Sequence, residues 1–294
     1  MQIGYFPGCS LKSTAKEYDL SVKTLCANLG VELIEIEDWN CCGATPAAAI
    51  SEELSLALPL QNLIKARTQQ LTSILSPCPA CHSHLLLAYK EVTSGGAYRK
   101  RLEEIVDQSF KWDITLRHLV DFLYEDVGLD KIKESLVNPL GGIKLVSYYG
   151  CLTRLKGVEI EDKENPSMMD EIINTLGAEA LDWSHKTECC GASFSITKTD
   201  AVLRLVGEIL EAAKTVGADA LVVVCPLCQA NLDMRQLELV KRGSKRFNLP
   251  IIYLSQLILL AQGKGYGEVG FDKHLVNPRA LMRGCESSGK HMVK

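Results

Sequence analysis

The chain has 294 residues, 47% of them hydrophobic and 23% charged, with a formal net charge of -4; this suits a globular protein of one large or two modest domains. No run of lysine and arginine could neutralise a row of phosphates, so a nucleic-acid partner is excluded, and the most apolar stretch, Leu249 to Ala261, falls short of the roughly 20 residues of a membrane span. Twelve cysteines behind an N-terminus without the regions of a signal peptide predict a cytoplasmic protein that binds metal or does redox chemistry rather than one stapled by disulfides.

In chain order, IGYFPGC (residues 3–9) predicts a strand that ends in a Gly-Cys loop, with Lys12 three positions beyond Cys9. STAKEYDLSVKTLCANLG (13–30) predicts a helix closed by a glycine, followed by a short strand that leads to the adjacent Cys41 and Cys42. EELSLALPLQNLIKARTQQ (52–70) predicts the next helix, and LTSILSPCPAC (71–81) a strand running into Cys78, Pro79 and Cys81 and then a helix. From Leu145 the same pattern is written again. LVSYYGC ends at Cys151 with Arg154 three positions on, NPSMMDEIINTLG (165–177) is the helix, and Cys189 and Cys190 open the second CCG triplet. TDAVLRLVGEILEAAKTVG (199–217) is the following helix, and ALVVVCPLC (220–228) the strand that delivers Cys225 and Cys228. Leu249 to Ala261 reads as a buried strand running into a helix, and LVNP recurs at 136–139 and 275–278.

A single cysteine, a CCG triplet and a Cys-Pro-x-Cys pair thus occur twice, in the same order, and use ten of the twelve cysteines. Strands alternating with helices predict an α/β protein of two pseudo-repeated, Rossmann-like parallel-sheet domains, divided as 1–140 and 141–294. In such sheets the loops leaving the C-terminal strand ends share one edge, so the three cysteine groups of a copy can converge.

Adjacent thiols could form a vicinal disulfide, but that ring is strained and would have to form twice in a reducing cell. They could serve zinc, yet a tetrahedral site takes four ligands and each copy offers five. A cluster of several irons removes the difficulty, because neighbouring thiolates can bind different metal atoms. The glycine after each pair, Gly43 or Gly191, lets the backbone approach closely or take a positive φ, or is a plain turn glycine. The prolines of CPAC and CPLC suit the first position of a helix, which would put a cysteine at the positive end of a helix dipole. A cubane needs four cysteines, so the fifth hints at another cluster type.

The ten-cysteine pattern resembles the CCG-domain family of heterodisulfide reductase B subunits, from YFPGCSLKSTAKEYDLS to the region of LSQLILLA. The resemblance implies two non-cubane [4Fe-4S] clusters, one held by Cys9, Cys41, Cys42, Cys78 and Cys81, the other by Cys151, Cys189, Cys190, Cys225 and Cys228. It implies an oxidoreductase that splits the disulfide of coenzyme M and coenzyme B between the two clusters, with one electron delivered through each. The chain has no ferredoxin-like cysteine run and no Gly-rich dinucleotide fingerprint after its first strand, so its electrons come from partners. The resemblance implies that these are the other heterodisulfide reductase subunits, one bearing flavin and one bearing cubane clusters, in a larger complex with a hydrogenase or formate dehydrogenase. Related CCG subunits point to three alternatives, lactate or glycolate oxidation complexes, sulfur-oxidising assemblies and some succinate dehydrogenases. Many of those carry a fused ferredoxin segment; a chain opening directly on its first repeat fits the methanogen form. A zinc-bearing structural or electron-passing module is the alternative from another class.

The heterodisulfide is anionic, so the matched cations Lys12 and Arg154 are candidates to steer or clamp it. His82 and His84 follow Cys81, but Gln229 and Asn231 stand in their places in the second copy, so they are expected at the surface or at a helix cap rather than on a metal, with a proton-donor role as the alternative. Cys26 is expected in the core, Cys285 in a polar tail, and Trp39 and Trp183 in packing.

Overall fold

The structure is a computed structural model that describes residues 1–44, 46–95, 97–106, 113–155, 158, 162–279 and 281. The first half runs β1 (Gln2–Tyr5), α1 (Gly8–Lys12), α2 (Lys16–Asn28), β2 (Glu32–Glu35), α3 (Pro46–Ile50), α4 (Glu52–Thr68), β3 (Ser73–Ser76), α5 (Pro79–Thr93), α6 (Arg99–Val106), β4 (Thr115–His118), α7 (Leu119–Asp121) and α8 (Leu129–Glu134). The second runs β5 (Lys144–Tyr148), α9 (Met168–Thr175), β6 (Glu179–Ala180), α10 (Thr199–Thr215), β7 (Ala220–Val223), α11 (Pro226–Lys241), β8 (Ile251–Tyr253) and α12 (Leu254–Ala261).

Each half builds one parallel four-stranded sheet, and the two orders correspond: β2-β1-β3-β4 and β6-β5-β7-β8. The α/β fold of two repeated parallel sheets expected from the sequence is therefore the one observed. β7 reads ALVV and is buried at every position, as a strand covered on both faces must be. The edge strand β2 reads ELIE and is nowhere fully buried. In α10 the buried residues Val202, Leu203, Val206, Ile209, Leu210 and Ala213 recur at helical spacing and join the core, and the helix packs against α11. Just past α2 and α9 come Gly30 and Gly177, at φ +68° and +85°, so the chain turns into the edge strand through a conformation that other residues adopt at a penalty.

One strand was not expected. β4 carries Arg117 in a short, mostly half-buried segment without an apolar run, and the guanidinium is held by Glu125 and Asp126, both at 2.8 Å.

The halves share a continuous core. α12 lies against α2, where Ser21 and Ser255 join their buried hydroxyls at 2.7 Å and the rings of Tyr18 and Tyr253 stack with centroids 4.0 Å apart and planes 3° from parallel. Among the described residues no helix is long and apolar enough to cross a membrane.

Candidate metal centre

β1 delivers Cys9 through the short α1, the loop after β2 delivers Cys41 and Cys42, and β3 runs into Cys78, which caps α5 at its N-terminus with Pro79 as first helical residue. These loops meet. The Cys81 thiol is hydrogen-bonded with both Cys42 and Cys78, which holds their sulfurs below the ordinary thiol range, while these two neighbours and then burial push its own well above it. Cys41 adjoins Cys42 and lies within electrostatic reach of Cys9; burial pushes its thiol up, against the backbone N-H of Gly43, which donates to its sulfur at 3.4 Å.

The second half repeats the arrangement. Cys225 caps α11 with Pro226 at its start, and the Cys190 and Cys228 thiols share a hydrogen bond at 3.6 Å, with Cys225 also against Cys228. Cys190 is lowered chiefly by that bond and Cys228 is raised by it. Cys151 donates to Cys189, which falls to about 6 for that reason first and by the N-H of Gly191 at 3.3 Å after burial opposes it, while Cys151 is pushed up. Five thiols thus gather in each half. Cys42, Cys78, Cys81, Cys190 and Cys228 form buried floors, and Cys9, Cys41 and Cys189 are exposed at the rims, with Cys151 and Cys225 between.

The two sites adjoin. Tyr18, on α2, is wholly buried, and its hydroxyl donates to the carbonyl of Val224 at 2.9 Å and approaches that of Pro77 at 3.3 Å, the residues immediately before Cys225 and Cys78. α1, which carries Cys9, packs against α11, which carries Cys228. A groove of about 940 Å³ between α10 and the end of α11 holds none of the ten cysteines.

Lys12 ends α1 and is ion-paired with Glu35 at 2.7 Å. Arg154 ends the matching 3-10 turn, Gly150–Arg154; its side chain, and Cys285, lie outside the described residues. His82 departs from expectation. It is buried, not at the surface, with its ring 5.7 Å from that of His118, because the face of α5 that bears Cys78 and Cys81 turns towards β4. Burial and then Arg117 hold it neutral, at about 4. His84 has a structural task, which is to donate to the carbonyl of Ser55. Pro59, inside α4, lacks the N-H that would otherwise reach that carbonyl. Cys26 lies in the core, where burial raises it to about 12. The tryptophans pack edge-on or tilted against equivalent aromatics, Trp39 on Phe6 at 5.5 Å and Trp183 on Tyr148 at 6.2 Å. Sequence reading missed Tyr18, and the signal for it was faint: a lone aromatic on an amphipathic helix, without counterpart in the second copy.

Among the described residues no three of His, Cys, Asp and Glu surround a point that a single metal ion could take. A multinuclear iron-sulfur group makes no such demand, since its thiolates sit on different irons. The donor set fits such a group in two further respects. The backbone N-H groups of Ala44, Cys81, Gly43, Ala192 and Gly191 reach sulfur, the pattern that favours thiolate over thiol. At Gly8, φ +69°, a Cβ would stand 2.7 Å from the Cys81 sulfur, so only glycine leaves that sulfur room.

Fold and site together define a class, the α/β proteins in which a cysteine-rich unit is duplicated within one chain. The chain belongs to the CCG cysteine-rich domain family, whose profile matches residues 3–86 and 145–233, one match on each half. It is similar to the 8-methylmenaquinol:fumarate reductase membrane anchor subunit of Wolinella succinogenes, at 28% identity over 95% of this chain and 99% of that protein. It is similar also to a protein of Archaeoglobus profundus that is named as like the B subunits of heterodisulfide reductase, at 29% over 90% and 91%. The B-type component of the ferredoxin:CoB-CoM heterodisulfide reductase of Methanosarcina mazei shares 25% over 94% of both chains. In fold it matches the crystal structure of a hypothetical protein from Helicobacter pylori, with a TM-score of 0.72 and 14% identity over 94% of this chain and 52% of that one.

Proposed function

We propose that the chain is the cysteine-rich component of a heterodisulfide-reductase-type complex and an oxidoreductase, with one iron-sulfur cluster in each half. Cys9, Cys41, Cys42, Cys78 and Cys81 would hold the first, and Cys151, Cys189, Cys190, Cys225 and Cys228 the second. The finer reading is reduction of the coenzyme M–coenzyme B disulfide, RS-SR′ + 2e⁻ + 2H⁺ giving RSH and R′SH. The observation that carries it is the pairing of two five-thiol sites, each with exposed rim thiols over a buried floor, joined through the hydroxyl of Tyr18.

When bound, non-cubane [4Fe-4S] clusters would supply the electrons singly, one from each half. The residues of the chain do the rest. The N-termini of α5 and α11 stabilise negative charge on the sulfurs they cap. Lys12 and Arg154 receive the anionic groups of the substrate, Lys12 by exchanging Glu35 for them. Electrons arrive from the flavin-bearing and cubane-bearing heterodisulfide reductase partners, fed by a hydrogenase or formate dehydrogenase in the same complex, on the cytoplasmic side. The domain division proposed with this reading is 1–140 and 141–294.

A second reading keeps the clusters and changes the reaction. The Wolinella relative, matched over 99% of its length, is named as part of a quinol:fumarate reductase, and a lactate utilization protein A of Macrococcus caseolyticus shares 24% identity over 80% of this chain. Metal and sulfide analysis of anaerobically purified protein comes first. About eight irons per chain are expected for two four-iron clusters, whereas mostly zinc with little sulfide overturns both readings. Dye-reduced protein is then mixed with the disulfide and followed by EPR as free coenzyme M is added. Release of both thiols and a changed cluster signal support the disulfide reaction; reducible clusters indifferent to disulfide and thiol favour the quinol-linked reading.

A further inference from the structure

The two sheets differ at one register position beside the cysteines. In the first half His118 ends β4 opposite Ser76, two residues before Cys78. In the second, Tyr253 ends β8 opposite Val223, two residues before Cys225. Both side chains are buried, His118 at 1% exposure and Tyr253 at 0%. Their polar atoms fare differently. His118 is spoken for at both ring nitrogens, by the Pro77 carbonyl at 3.0 Å and the Val120 N-H at 3.4 Å. The Tyr253 hydroxyl has no partner among the described residues.

A buried tyrosine hydroxyl left unpaired is rare, because it forfeits its bonds to water and gains none in return. The ring around it is firmly placed: it stacks on Tyr18, whose own hydroxyl is fixed on the carbonyl before Cys225. The backbone is pinned as well, since the N-H of Tyr253 donates to Gln256 at 3.0 Å where α12 begins. Burial, then Glu17 and Tyr18, and then Cys225 and Cys228 push its hydroxyl well above the ordinary tyrosine range, so it stays protonated and remains a donor.

Resting on the reading that the second half holds an iron-sulfur group, we propose that the Tyr253 hydroxyl donates a hydrogen bond to a sulfur of that group, and that this makes the second centre easier to reduce than it is without that donor. Such a donor favours the reduced form, which carries one more negative charge, and so raises the potential. The matching strand in the first half offers no free donor. Other buried polar atoms without partners there, Ser76 Oγ and His82 Nδ1, come from different positions, so the contrast is confined to this register position. Tyr253 is a positioning residue in this account; it tunes the group and takes no part in proton delivery.

The test is Tyr253→Phe in the cluster-loaded, otherwise full-length chain, followed by anaerobic potentiometric titration with EPR detection. Tyr18→Phe, which keeps the stacked rings and the Tyr253 hydroxyl, is the companion. The expected result is that Tyr253→Phe lowers one of two midpoint potentials by about tenfold in the one-electron equilibrium, or about 59 mV, and leaves the other in place, while Tyr18→Phe does not reproduce this single shift. Unchanged potentials in loaded Tyr253→Phe, or equal shifts of both centres in both variants, overturn the inference and leave the iron-sulfur reading standing. Unsubstituted protein without iron overturns both. If Tyr253→Phe does not accumulate, Tyr253→His installs the first-half residue, whose ring is expected to turn to the Val224 carbonyl as His118 does to Pro77, and the same single lowering is the outcome required.

Discussion

The two halves carry the same five-cysteine pattern on the same strand order, yet differ in what surrounds it. Repeated between them are features that sulfur chemistry constrains: a proline starting the helix at each Cys-Pro-x-Cys, and CCG glycines at φ +79° and +75° whose N-H groups reach the first cysteine of each pair. Free to diverge are the supports. Gly43 rests on the backbone of Ser55 and Gly191 on the side chains of Val202 and Leu205. Cys9 rides on an α-helical turn and Cys151 on a 3-10 turn. One half backs its cysteines with His82 and His118, the other with Gln229, Tyr253 and His274. Duplication has kept the cysteines and varied their setting, and on the proposed reading that variation would let two centres of one composition differ in potential.

The largest effect expected separates the halves outright. Cys81 and Cys228 each touch two further thiols of their site, so Cys81→Ser or Cys228→Ser should each remove about half of the iron, roughly four atoms per chain, with the signal of the untouched half retained. Loss of nearly all iron from either variant would show that the halves load as one unit. Next in size is Gly8→Ala against Gly150→Ala. Both glycines have positive φ, where a side chain costs roughly 1–2 kcal/mol, but at Gly8 the added carbon meets the Cys81 sulfur at 2.7 Å and at Gly150 the ring of Tyr148 at 3.0 Å. Comparable losses of Tm are expected. The loss of iron should be the greater for Gly8→Ala, as metal analysis of the two purified variants will show.

Much of this was legible in the sequence, because cysteine spacing, helix-ending glycines and apolar strands such as ALVVV are local signals. Leu249 to Ala261 gave both β8 and α12. Its first-half counterpart β4 was not recognised, since TLRH places an arginine on an edge strand and finds its acidic partners only eight and nine residues later. Tyr18 was illegible for a different reason. Its partners, the carbonyls of Pro77 and Val224, are 59 and 206 residues away and are backbone atoms, which leave no mark on side-chain pattern. His82 lies in the core rather than at the surface or a helix cap because β4, which carries no strand signal of its own, covers that face of α5.

A smaller, graded effect is expected with pH. His118 is held neutral at about 3 and His274 at about 4, in both cases chiefly by burial. A folded value below the unfolded value of about 6.5 means that the unfolded chain takes up the proton first. The contribution of each group is therefore complete above about pH 6.5 and is lost as pH falls towards 4 or 3, on the order of 1.4 kcal/mol per unit for each. Tm measured at pH 7 and pH 5 should fall for the parent, and His274→Gln should flatten that slope in part. A parent Tm independent of pH over this interval would contradict the buried neutral state in both halves.

The smallest effect on stability comes from Lys12, and there function should part from folding. Its pair with Glu35 leaves both side chains about a third exposed, and pairs of that kind contribute between zero and about 1 kcal/mol, so Lys12→Met should shift Tm little. If Lys12 meets the anionic disulfide, Glu35 competes with the substrate for it, because Glu35 also holds Lys23 and the indole of Trp39. Lys12→Met should then raise KM severalfold and Glu35→Gln should lower it, with kcat little changed in both, and Arg154→Met should raise KM by a similar factor from the other half. Equal KM values in Lys12→Met and Glu35→Gln would remove the cation from substrate recognition, and an effect of Arg154→Met alone would show that the anion is received on one side only.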